Sequence, residues 1–193
     1  PHREGPQVHG GGPVKYRTIV ADPPWRYDRF VGRTIGGGEG WEARGLPYPG
    51  MTLDEIKMLP VADLADSDAR LFCWTTNRFL PETFDVLRAW GFRYQQTLAW
   101  HKTNPSPYPG AVAVLDLEFL LVAQRGTPGR LGTVRSSLVS AAIRRHSAKP
   151  EAFLDLVEQV SPGPYLEMFA RRNRLGWDTW GNECLEHVEV VNA

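Results

Sequence analysis

Asp22 stands in the stretch TIVADPPWRY, where a run of β-branched residues gives way at once to an acid, two prolines and a tryptophan. Proline lacks the N–H a sheet ladder needs and fixes its own backbone, so Pro23 and Pro24 end a strand and stiffen the turn that follows. That combination suits one kind of chemistry. The exocyclic amine of adenine is a poor nucleophile, because its lone pair is delocalised into the ring. The carboxylate of Asp22 and a backbone carbonyl of Pro23 or Pro24 offer two acceptors for its N–H groups in a preset geometry. The nitrogen can then pyramidalise toward an electrophile with little reorganisation. Trp25 would supply a flat face for the base. The plainer reading of the same tetrapeptide is a strand-ending turn with a packed tryptophan.

Other residues fit such a reaction. Lys149 opens the amphipathic stretch KPEAFLDLVEQV, with Pro150 in its first turn. A cation there opposes the helix dipole. Together with the helix amino end it makes a site for an anion, such as the carboxylate of an amino-acid-like cofactor. A solvated lysine is the alternative. Further on, RRNRLGWDTWGNE supplies Arg171, Asn173, Asn182 and Glu183, whose amides and carboxylate suit ribose hydroxyls. No G-x-G-x-x-G occurs, which disfavours an ordinary dinucleotide fold.

The elements that must position these residues are readable from periodicity. YRTIVAD (16–22), RLFCWTT (70–76), QTLAWHK (96–102), LDLEFLLVAQ (115–124) and YLEMFA (165–170) read as strands. Glu118 is oddly placed in the apolar run of the fourth. MTLDEIKML opens a helix with Thr52 as N-cap and Glu55 completing a capping box. PETFDVLRAW (81–90) has helical spacing and stops at Gly91, a natural C-terminal cap; residues 149–160 form a third helix. Strands alternating with helices predict an open α/β sheet covered on both faces. Ligands of such sheets collect outside the carboxyl ends of the strands, where Asp22, Lys102 and Arg171 fall. The glycine-laden stretch after Trp25, which runs to Gly50, has no periodicity and reads as a functional or mobile loop.

The 193 residues suit one domain, spanning 15–193, after a flexible lead-in at 1–14 rich in Gly and Pro. Net charge is zero, so no overall basic field advertises nucleic acid. From Phe119 to Pro150, however, there is no acid, while Arg125, Arg130, Arg135, Arg144 and Arg145 all lie there. This strip is either a modest phosphate-contacting surface or a solvated loop. Two cysteines support neither a disulfide framework nor a cysteine-rich metal site, and no metal is expected. No signal peptide is visible, and no apolar run nears the roughly 20 residues a spanning helix needs, so a cytoplasmic location is expected.

With these motifs in view, the chain from about Lys15 to Glu183 resembles the MT-A type adenine N6-methyltransferase family. ADPPW, LPYPGMTLDEI, LFCWTTN, LRAWGF, LAWHKTN, LEFLLVAQRG, RRHSAKPE, VSPGPYLEMFAR and GWDTWGNE match it in order. The resemblance implies a Rossmann-like, S-adenosylmethionine-dependent methyltransferase with a mostly parallel sheet. It implies a substrate adenine in DNA or RNA, and work alone, as a homodimer or with a partner subunit. By the same resemblance Asp22, Pro23, Pro24 and Trp25 form the catalytic motif, facing the target base and the cofactor methyl. Tyr48, Trp100, Lys102 and Glu118 correspond to substrate-pocket residues. Lys149 corresponds to a lysine on the cofactor carboxylate, with Arg171 and Asn182 near the ribose. The chain departs from the eukaryotic pattern at Ala170, where that pattern has Gly, and at Glu183, where it has Gln. It is shorter between Phe169 and Trp177, which leaves the role of Asn173 open. Two other readings stay in play: a catalytically silent subunit supporting an active partner, and an aminomethyltransferase acting on cytosine N4. The first would show a damaged DPPW or a lost lysine; the second would favour Ser and Tyr where this motif has Asp and Trp.

Overall fold

In the computed structural model, residues 14–26, 50–105, 112–143 and 148–181 are described. The elements in chain order are β1 (Tyr16–Ala21), α1 (Leu53–Lys57), α2 (Val61–Leu64), β2 (Ala65–Thr75), α3 (Leu80–Ala89), β3 (Arg93–Lys102), β4 (Leu117–Arg125), β5 (Leu138–Ala141), α4 (Glu151–Val160), β6 (Tyr165–Met168) and β7 (Trp177–Trp180). The strands form one seven-stranded sheet in the order β5-β3-β4-β2-β1-β6-β7. β1 lies between β2 and β6, parallel to both.

Local signals account for most boundaries. Thr52 caps α1, and Glu55 returns a bond to the Thr52 N–H at 2.7 Å, completing the expected capping box. α3 ends in a Schellman motif, with Phe92 N–H bonded to Leu87 O and Gly91 N–H to Arg88 O, and with Gly91 at φ +78°. Pro150 is the N-cap of α4 rather than a residue of its first turn.

Several elements differ from expectation, among them β5, which lies in the basic strip and was not given as a strand. β2 begins at Ala65 instead of Arg70, and β7 and the short α2 were not foreseen. More consequential is β4, which pairs antiparallel with both β2 and β3, while β3–β5 and β6–β7 are parallel. Six strands therefore point one way and β4 points the other. The cause lies in the connection before it. A parallel return needs a crossover of a dozen or more residues, usually a helix. The connection between β3 and β4 (103–116) is long enough for a crossover, but it opens with TNPSPYPG and shows no helical periodicity, and β4 returns antiparallel beside β3.

Strand alternation divides the core between two faces. Ile19, Ala21, Leu71, Cys73, Leu121 and Met168 pack with Ile56, Val86, Leu87 and Trp90 of the α1 and α3 side. Val20, Phe72, Trp74, Leu98, Trp100 and Leu120 pack under Phe153, Leu156 and Val157 of α4. Both faces are covered, as expected. The same alternation sends Asp22, Lys102, Glu118 and Glu167 to the α4 side.

Candidate active site at the carboxyl edge of the sheet

Asp22 follows the last residue of β1, and its N–H is held by Met168 O at 3.3 Å. Its carboxylate accepts from Lys149 Nζ at 2.8 Å. Lys149 also reaches Glu118 at 3.4 Å, and Lys102 pairs with the other oxygen of Glu118 at 2.6 Å. The result is an alternating chain, Asp22–Lys149–Glu118–Lys102, laid over an aromatic floor. Lys149 stands 5.4 Å from the ring centre of Trp74, and Lys102 stands 5.3 Å from that of Trp100.

The reversal of β4 explains why Glu118 belongs here. It is the second residue of β4, and because β4 runs against its neighbours, that start lies at their carboxyl edge. Trp100 is its register partner on β3. An acid out of place in an apolar run thus becomes the shared counter-ion of two lysines. Burial pushes the Glu118 carboxyl up, but Lys149 and Lys102 outweigh this and hold it below the ordinary glutamate range. Burial likewise lowers Lys149, and Asp22 and Glu118 reverse that, leaving its ammonium above the ordinary lysine value.

Beside Asp22 opens a cavity of about 230 Å³, walled by Val20, Trp74, Lys149, Phe153, Glu167 and Arg171 among others. Glu167 was not foreseen as a site residue. One of its carboxylate oxygens, Oε2, is buried with no hydrogen-bond partner. Burial raises its pKa to about 7; Arg172 opposes the rise, and Asp22 and Glu151 add to it. Its signal was available in YLEMFA, where alternation places a lone acid on the face of Val20, its partner residue across β1 and β6.

The Pro-Pro turn is held at three points. Trp25 N–H bonds Pro23 O at 2.8 Å, Met51 N–H bonds Pro24 O at 2.8 Å, and Arg26 N–H returns to Met51 O at 3.1 Å. Each proline carbonyl oxygen carries two lone pairs, and these bonds engage one of them. Trp25 departs from its expected use. Its ring is 7% exposed, stacked on Phe79 at 5.3 Å, with Nε1 directed at Trp74 O. With that packing it braces the turn. Trp100 is equally enclosed, 2% exposed, and its Nε1 bonds Ala141 O at 2.9 Å.

Other expected residues fall as follows. Arg171 lines the cavity; Asn173 is directed at Thr179 Oγ1 at 3.3 Å and is not among the cavity walls. Tyr48, Asn182, Glu183, Arg144 and Arg145 lie outside the described residues. Of the basic strip, Arg125 does not share this edge. Arg125 ends β4 opposite Ala69, so it sits at the far edge of the sheet, roughly 15–20 Å from Asp22 along the strands. Its Nη1 donates to Ala62 O at 2.7 Å. Among the described residues no group of three or more His, Cys, Asp or Glu side chains is arranged to hold a metal. None of their helices is long and apolar enough to cross a membrane.

The family model described as MT-A70 matches residues 16–183, with the motif at Asp22 and the cavity residues inside that span. The chain belongs to the MT-A70 family. It is 33% identical over 192 residues to the type II methyltransferase M.MunI of Mycoplasma sp, covering 91% of this chain and 81% of that protein. It is 29% identical to an N(6)-adenosine-methyltransferase MT-A70-like protein of Drosophila melanogaster, covering 92% of this chain and 28% of that one. Human N(6)-adenosine-methyltransferase catalytic subunit METTL3 is 28% identical over 188 residues, covering 92% of this chain and 30% of the human protein. The chain thus spans most of the bacterial relative and under a third of the two animal ones. As an MT-A70 protein it is a methyltransferase with a Rossmann-like α/β fold, and the resemblance read from its motifs is borne out.

Proposed function

We propose that this MT-A70 protein transfers a methyl group from S-adenosylmethionine to the N6 amine of adenine in nucleic acid. The observation that carries the reading is Asp22 itself. Its carboxylate stands at the carboxyl end of β1, on the wall of the cavity, on a turn that the bonds of Pro23 and Pro24 immobilise.

The cavity suits the donor's chemistry. Lys149 and Arg171 provide cations for a carboxylate and polar substituents, while Val20, Trp74 and Phe153 provide an apolar wall. The unpartnered Glu167 Oε2 is an acceptor waiting for a hydroxyl or amine. The amino end of α4 carries no side-chain cap, so its N–H groups add to Lys149 in favouring an anion. When bound, S-adenosylmethionine supplies an electrophilic methyl carbon on a sulfonium. Asp22 and a proline carbonyl accept from the adenine amine and hold its nitrogen pyramidal; no strong base is required, because the proton leaves once the nitrogen is cationic. Lys149 and Glu118 keep Asp22 oriented through their shared ion pair. Tyr48 and Asn182 complete the proposed site by resemblance, and Glu183 by the fit of its carboxylate to a ribose hydroxyl.

The intact Asp-Pro-Pro-Trp sequence favours adenine as the acceptor, in keeping with the N(6)-adenosine activity for which the two animal relatives are named. A base-paired target must be flipped out, at a cost of about a few kcal/mol; an unpaired one need not be. Phosphate contacts are assigned to Arg144 and Arg145, which follow Ile143 in sequence. The backbone of Ile143 is bonded on both sides by Asn104 near the end of β3.

Incubation with labelled S-adenosylmethionine and single- and double-stranded DNA and RNA tests the reading. Label is expected in N6-methyladenine, and not in the Asp22→Ala protein. Methylation that survives Asp22→Ala, or label found only on cytosine, sinks it.

A further inference from the structure

The segment after β6 is tied to α4 by ion pairs that the transfer chemistry does not use. Arg174 donates from Nη2 to Asp155 at 2.7 Å and to Glu158 at 3.1 Å, from Nε to Glu158 at 3.0 Å, and from Nη1 to Glu151 at 3.2 Å. Glu158 also accepts from Trp177 Nε1 at 2.7 Å, and Arg172 pairs with Glu151. Glu151, Asp155 and Glu158 are spaced four and three residues apart, so they share one face of α4. One guanidinium therefore spans two turns of that helix.

Both partners of this clamp are walls of the donor cavity. α4 contributes Phe153, Leu154 and Val157, and the segment contributes Phe169 and Arg171. The segment does not hold its shape by local preference. Phe169 lies at φ +63°, a conformation that a bulky side chain adopts at a cost on the order of 1 kcal/mol or more. At its start the segment is held by Ala170 N–H on Trp180 O at 3.1 Å and by the Phe169 ring against Trp180; Arg174 and Trp177 tie the rest of it to α4. The carboxylates in turn raise the Arg174 pKa, and Arg174 holds Glu158 below the ordinary glutamate range.

We propose that Arg174 is a positioning residue for the methyl donor: by clamping segment 169–177 to α4 it sets the separation of two cavity walls before the donor arrives. Binding then bears no cost for ordering that wall. The inference rests on the cavity being the donor site.

Calorimetric binding of S-adenosylhomocysteine to wild type, Arg174→Ala, Arg174→Lys and Asp155→Asn, well below each melting temperature, tests both levels separately. Arg174→Ala is expected to raise the dissociation constant about three- to tenfold, as for one or two side chains that must be ordered on binding. Asp155→Asn gives a smaller rise and Arg174→Lys recovers part of the loss. In turnover the loss falls on KM for the donor and not on kcat. Added salt, which screens partly exposed ion pairs, weakens the wild type more steeply than Arg174→Ala. Unchanged affinity in Arg174→Ala and Asp155→Asn, with only a lower melting temperature, overturns the clamp. Should Arg174→Ala fail to fold, Asp155→Asn decides alone, since it removes a single partner that is 57% exposed. A wild-type protein that binds no S-adenosyl compound overturns the donor reading instead.

Discussion

Lys149 serves two carboxylates at once, 2.8 Å from Asp22 and 3.4 Å from Glu118, and its removal is felt at both. Lys149→Met is expected to lower stability by about 1–3 kcal/mol, the range for leaving an enclosed acceptor unsatisfied, because Glu118 keeps Lys102 and Asp22 stays partly exposed. Denaturant titration measures it, and KM for the donor should rise in parallel. Glu167 behaves oppositely. Its folded-state pKa is raised to about 7, above that of an unfolded glutamate, so between about pH 4.5 and 7 the folded chain binds the extra proton. Its contribution to stability is complete below that window and is lost as pH rises through it, with a slope no steeper than about 1.4 kcal/mol per pH unit. Unfolding midpoints from pH 5 to 8 should show this slope in the wild type and lack it in Glu167→Gln. A wild-type curve parallel to that of the variant removes Glu167 from the site's electrostatics. At this scale Asp22, Lys102 and Lys149 were legible because each sits at the end or start of a periodic run. Glu118 was visible in its own run only as an oddity, and as a pocket residue only through the family resemblance. Its meaning as the counter-ion of Lys149, thirty-one positions away (149 less 118), depends on a contact no local pattern encodes.

At the scale of elements, the capping box of α1 and the glycine stop of α3 were written in short-range signals and formed as read. Thr52→Ala should cost about 1 kcal/mol and lower the melting temperature by about 2–4 °C. The same change matters to the site, since the residue before Thr52, Met51, is bonded to Pro24 O. Gly181 is a sharper test. A Cβ there would come within 2.2 Å of Ala170 O and 2.7 Å of Ala170 N, both backbone atoms that cannot rotate away. Gly181→Ala is therefore expected to part the ends of β6 and β7, where Ala170 N–H bonds Trp180 O, and to weaken S-adenosylhomocysteine binding in calorimetry. Strand β7 itself escaped notice because WDTW is short and sits behind a polar, glycine-containing segment. The direction of β4 escaped because periodicity reports which face a residue takes, and not which way its strand runs.

Over the whole molecule, the sheet separates charges that the sequence groups together. Arg125 lies at the edge away from Asp22, bonded to Ala62 O, so Arg125→Ala should leave KM for an oligonucleotide within about twofold of wild type. A lost phosphate contact would instead flatten the salt dependence of binding by about one unit of slope. Measuring both quantities over a range of salt separates these outcomes. The α/β class, most strand and helix positions, and the acid-proline-proline turn after β1 are written in local patterns, because hydrophobic period, caps and prolines act over a few residues. That β4 runs backward, that Glu118 meets Lys149 and that Trp25 packs on Phe79 emerge from the assembled fold alone. It also decided that Glu167 walls the cavity and that Arg174 ties together two elements that line it. Those outcomes turn on which distant surfaces meet, and that is settled by how a single sheet buries both its faces at once.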